Sequence, residues 1–75
     1  MFVVWYKIIL NKRSAKKYGW ELHWFGANAF DAELVNKIKR FQEDNYLYGS
    51  GVCDRITYRR LLLKVLMDIK NNKTN

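Results

Sequence analysis

From Thr57 onward, apolar residues fall at Tyr58, Leu61, Leu62, Val65, Leu66 and Ile69. This is the i, i+3, i+4, i+7, i+8, i+11 spacing of one continuous helical stripe. Such a stripe is stable only when something packs against it, so the chain is committed to a layered helical architecture. Thr57 supplies an N-cap side chain, and the spacing predicts a helix over 57–70, with Arg59, Arg60, Lys64 and Lys70 mostly off the stripe. A partner helix is predicted over 31–44. Asp31 is a good N-cap, Glu33 suits the positive helix end, and Leu34, Val35, Ile38 and Phe41 line one face. Asn45 is the expected stop, after which Tyr46 and Leu47 turn inward. Gly49-Ser50-Gly51 then gives the turn its backbone freedom.

The stripes have little chain with which to build a core. At 75 residues a protein buries only about 60% of the surface its unfolded form exposes, so residues 1–75 are read as one domain. Hydrophobic residues at 49% and aromatics at 16% are too abundant for a disordered basic tail. Residues 1–30 form a strand-like and Trp-rich lead-in, 31–70 the two-helix core and 71–75 a frayed tail. The strand-like expectation rests on Val3, Val4, Trp5, Tyr6, Ile8 and Ile9, which are β-branched or aromatic and bounded by polar Asn11-Lys12-Arg13-Ser14. The predicted fold is therefore mainly α, with an N-terminal β-like segment.

Several functional classes are excluded by residue count. One cysteine, Cys53, and one histidine, His23, cannot make an internal disulfide or a four-ligand Cys/His zinc site. No apolar run is long enough to span a bilayer. The positive charges follow the apolar start and no small-residue cleavage site comes after it, so a secretory signal is not predicted and synthesis is expected in the cytoplasm. Catalysis would need a nucleophile with a base, or a carboxylate pair. Cys53 and His23 are solitary, and the adjacent Glu43-Asp44 point apart on a helix end. The expectation is no enzyme, no catalytic or metal-binding residues and no cofactor.

Fourteen Lys+Arg against seven Asp+Glu give a formal charge of +7, which favours a polyanionic partner: nucleic acid, anionic lipid or an acidic cell wall. The same charge, and the lack of a heptad seam, predict a monomer.

The run Phe30-Asp31, Ile38-Lys39-Arg40-Phe41-Gln42, Asn45-Tyr46-Leu47, Ser50-Gly51-Val52, Asp54-Arg55-Ile56-Thr57 and Leu61 resembles the peptidoglycan-binding domain family. These are small, mainly helical modules appended to bacterial and phage cell-wall hydrolases. Phe41-Gln42, Leu47, Gly51 and Thr57 fall in register with the family pattern. Three features depart from it: Ser50 stands for an Asp, Asp54-Arg55 for Gly-Pro, and a strand-like segment for the first helix. Physically, Phe41 would pack one helix on the next, Gln42 would satisfy turn backbone groups, Gly51 would allow the turn and Thr57 would cap the helix.

The resemblance implies a small helical bundle and a non-catalytic module that binds peptidoglycan, acting for itself or for a partner hydrolase at the bacterial wall, as in phage lysis. Its implied ligand-binding residues are Trp20, Trp24, Tyr46, Tyr48, Arg55, Tyr58 and Arg59. Aromatic faces pack on the apolar faces of sugars, and arginines pair with the carboxylates of wall peptides. Two other classes compete. A phage-type interaction protein could keep the fold and bind a host or phage protein through an edge at Leu63 and Met67. A nucleic-acid-binding protein could use two helices with a basic turn, but the connection from Asn45 to Thr57 is too long for a helix-turn-helix.

Overall fold

The structure is a computed structural model that describes residues 2–73, with side chains for 5–71. Three helices, α1 (Phe2–Tyr18), α2 (Ala32–Asp44) and α3 (Arg55–Lys73), are joined by loops, the first of which contains a 3-10 turn at Leu22–Phe25. No strand occurs among the described residues. The helical bundle agrees with the sequence expectation, but the β-like segment does not exist.

The reason α1 is a helix lies outside its own propensities. With no second strand among the described residues, a lone strand would leave its N–H and C=O groups without partners, whereas a helix satisfies them internally. Strand preference, spanning only about 1 kcal/mol per residue, is too weak to offset that. Asn11 and Ser14 both lie buried, and with Lys7 and Tyr18 they follow the i, i+4, i+7, i+11 spacing of one helix face. The core-facing stripe of α1 is therefore largely polar, which hid its period. Gly19, at φ 82°, ends the helix with its N–H donating to Ala15 O at 2.7 Å.

α2 follows its local signals. Asp31 Oδ1 accepts the Leu34 N–H at 3.1 Å, and Leu34, Val35, Ile38 and Gln42 face inward. Its C-terminus closes in a Schellman arrangement, with Leu47 N–H donating to Gln42 O at 2.8 Å and Tyr46 N–H to Glu43 O at 3.1 Å. The left-handed residue of that motif is Tyr46, at φ 61°. Tyr46 does not turn inward as expected: it is 96% exposed, because the left-handed backbone swings its side chain away from the helix, while Leu47 is half-buried.

α3 starts two residues before the predicted boundary. Its cap is Asp54, whose Oδ1 accepts the Thr57 N–H at 2.9 Å; Thr57 instead lies inside the first turn and is buried. Leu61 is fully buried, Tyr58, Leu62 and Val65 are half-buried, and Leu66 and Ile69 are exposed. The stripe outruns its cover, since α2 spans 13 residues and α3 spans 19. The overhang contributes to an elongated molecule of 45 × 23 × 19 Å. Of the tail, residues 71–73 lie within α3, and Thr74 and Asn75 lie outside the described residues.

The core is Trp20, Ala27, Leu34, Ile38, Cys53 and Leu61, ringed by partly buried Phe25, Phe30, Phe41 and Tyr58. Each fully buried aliphatic side chain contributes about 1.5–3 kcal/mol. The aromatic rings add edge-on contacts: Trp20 on Phe25 at 5.2 Å and 90°, and Phe25 on Phe41 at 5.7 Å and 83°.

Candidate ligand-binding surface

The α2–α3 connection is held by buried side chains from three helices. Gln42 on α2 accepts the Gly51 N–H on Oε1 at 2.9 Å. Its Nε2 donates to Val52 O at 2.9 Å and to Thr57 Oγ1 at 2.9 Å. From α1, Asn11 accepts the Cys53 N–H at 2.9 Å and donates to Gly51 O at 3.1 Å. Ser14 donates to Cys53 O and accepts from Trp20 Nε1 at 2.9 Å. Among the described residues no buried side-chain polar atom lacks a partner. Gly51 cannot be replaced in this turn. It sits at φ 81°, and a Cβ there would meet Val35 Cγ1 at 2.7 Å.

A turn fixed in this way presents its outward side chains without a large ordering cost on binding. Tyr46 and Tyr48 stand on it at 96% and 88% exposure. Arg55 and Arg59, one turn apart at the start of α3, are both exposed. Cations there oppose the positive end of the helix dipole, so a bound anion would relieve the local field. Tyr58 is half-buried, with one ring face stacked on Tyr18 at 4.9 Å and 16°.

Trp20 does not belong to this surface. It is 3% exposed, and its indole N–H is spent on Ser14, so its ring has no face to offer a ligand. Trp24 lies between two open clefts. One, of about 280 Å³, is lined by Trp24, Phe41, Lys37, Arg40, Asp44 and Lys64. The other, of about 690 Å³, runs between His23, Trp24 and the Val65–Ile69 stretch of α3. Lys37 is fixed there by donating to Gly26 O at 2.6 Å. The sequence reading missed Lys37, Arg40 and Lys64 as companions of Trp24. Their placement off the apolar stripes was the available signal.

Cys53 and His23 are separated by burial. Cys53 is fully buried. Burial pushes its thiol up to about 12, with the Asp54 charge adding to the rise and a Ser14 hydrogen bond opposing it. A neutral buried thiol is a poor nucleophile. His23 is exposed, beside Glu21 at 3.6 Å. No group of three or more His, Cys, Asp or Glu among the described residues is arranged to hold a metal ion.

Set against protein-family models, curated proteins and solved structures, the chain matches none.

Proposed function

We propose that this protein is a non-catalytic cell-wall-binding module that holds itself, or a partner lytic enzyme, on peptidoglycan. The observation that carries the reading is Tyr46. A bulky side chain in the left-handed region costs about 1–2 kcal/mol. This position ends a helix where glycine is the usual residue. Here a tyrosine stands at 96% exposure, so its ring contributes nothing to the core in exchange. Strain at an exposed aromatic points to a ligand.

With Tyr48 beside it, the turn offers two ring faces to sugars, while Arg55 and Arg59 provide charge for peptide carboxylates. The resemblance of residues 30–63 to the peptidoglycan-binding family gives this chemistry its substrate class. Trp24 with Lys37 and Lys64 extends the same chemistry to a second patch. The gain for a tethered enzyme is local concentration.

Sedimentation with purified, nuclease-treated peptidoglycan at two salt concentrations, with duplex DNA in parallel, tests the reading. Wall binding through stacking and bidentate pairs should persist better at high salt than DNA binding, which would fall steeply by counterion release. Folded protein that fails to pellet with walls from several bacterial species would overturn it.

One observation favours a second reading, a phage-type interaction protein. Leu63 and Met67 are 58% and 61% exposed on the side of α3 away from Leu61. Failure of wall binding together with a tight complex to one host or phage protein, lost on Leu63→Ser, would establish that reading instead.

A further inference from the structure

The outward face of α1 is not used by any role described above. At about 100° per residue, Trp5, Tyr6, Ile9, Lys12, Arg13, Lys16 and Lys17 fall within roughly 140° of the helix circumference, opposite the buried Asn11 and Ser14. The face divides along its length. Its first half is apolar and aromatic, with Trp5 66% and Tyr6 60% exposed and Ile9 half-buried. Its second half carries four exposed cations.

α1 contains no Asp or Glu. Among the described residues the only contact between a basic and an acidic side chain is that of His23 with Glu21, so none of the four cations is neutralised by a carboxylate. Lys16 and Lys17 suit the negative end of the helix dipole in any case. Lys12 and Arg13 lie before the last turn and have no such reason.

We propose that this face docks α1 on an anionic lipid surface. Trp5 and Tyr6 would sit at headgroup depth, and Lys12, Arg13, Lys16 and Lys17 over the lipid phosphates. Charge complementarity selects an anionic occupant, and the same four cations oppose a second copy of the chain packing face to face. The apolar half selects lipid over nucleic acid. An exposed Trp-Tyr pair continuous with a partly exposed isoleucine matches the boundary between headgroups and acyl chains, where amphipathic aromatics accumulate. A phosphodiester backbone offers the isoleucine nothing. The attachment is peripheral: no helix among the described residues is long and apolar enough to cross a membrane. This inference does not depend on the wall-binding reading, and vesicles free of wall material test it separately.

The experiment is co-sedimentation of the full chain with vesicles of pure phosphatidylcholine and with vesicles containing 30% phosphatidylglycerol as an order-of-magnitude anionic content. Binding is expected with the anionic vesicles, and little with the zwitterionic ones. Each surface cation near such a membrane is worth roughly fivefold in affinity. Lys12→Gln/Lys16→Gln should therefore weaken binding by about 25-fold with an unchanged circular-dichroism melt. Trp5→Phe should remove the fluorescence blue shift that vesicles cause in the parent protein. Equal binding to both vesicle types, no binding to either, or full retention by the double variant would overturn the proposal. So would preferential binding to single-stranded or duplex nucleic acid that the Lys12/Lys16 variant loses, which would make nucleic acid the occupant.

Discussion

The side-chain amide of Asn11 on α1 takes the place of a neighbouring backbone for the turn that holds Cys53, 42 positions later in the chain. Its Oδ1 accepts the Cys53 N–H at 2.9 Å, and its Nδ2 donates to Gly51 O at 3.1 Å. One fully buried residue thereby satisfies two backbone groups and fixes α1 against the α2–α3 connection. Asn11→Ala would leave both groups buried and unpaired, at a cost of about 2–4 kcal/mol. Denaturant melts should show this loss as a lower midpoint with little change in slope. A loss below about 1 kcal/mol would mean that water replaces the amide.

Tyr46 trades stability for exposure. Tyr46→Gly should stabilise the fold by about 1 kcal/mol, because glycine reaches φ 61° without the Cβ clash. The same substitution should weaken retention on peptidoglycan. Opposite signs in the melt and in wall sedimentation would be hard to obtain from a structural residue. If retention is unchanged, the ring does not contact the ligand.

Two tryptophans four residues apart should respond differently. Trp20→Ala removes a buried indole and the partner of Ser14, costing about 3–5 kcal/mol, a large part of the stability of so small a domain. Trp24→Ala, at a partly exposed position, should cost about 1 kcal/mol or less and lower wall retention. Comparing melting temperatures with wall sedimentation for each variant checks the division.

Arg55→Ala and Arg59→Ala should reduce wall retention most at low ionic strength, since their attraction is screened with a Debye length of about 8–10 Å near physiological salt. Tyr48→Ala should reduce retention at every salt concentration. A Tyr48 effect that disappears in high salt would contradict the stacking role.

The Cys53 thiol makes stability fall at alkaline pH. Its ordinary value is 9.0 and the folded value about 12, so the unfolded chain loses the proton first. The neutral thiol's full contribution is present below pH 9 and is lost progressively as pH rises from 9 toward 12. By pH 11 the loss is about 2–3 kcal/mol. Cys53→Ala should show a shallower decline over that window in urea melts, and native Cys53 should react with a thiol reagent only when the fold opens.

What the sequence determined by itself is the part governed by local chemistry. Asp31 caps α2, Leu34, Val35 and Ile38 give it a buried face, and Gly51 permits the turn. Leu61 and Val65 of α3 turn toward the core. Caps, a 3.6-residue period and a glycine in left-handed backbone act within a few residues, so they can be read without knowing the rest of the chain.

Only the tertiary structure decided the remainder, because each of those outcomes depends on what lies across the molecule. α1 is helical in spite of its β-branched residues, since Asn11 and Ser14 bind backbone some 40 positions away and no strand among the described residues is there to pair with. Gln42 was expected to serve the turn, but its bond to a buried Thr57, and the passing of the cap to Asp54, required the three helices to be assembled. Trp20 is core, with its indole N–H on Ser14, while Trp24 borders two clefts. Leu66 and Ile69 continue a perfectly periodic stripe yet remain exposed. Periodicity states which face a helix would bury, and only the length of the neighbouring elements sets how much of it is covered.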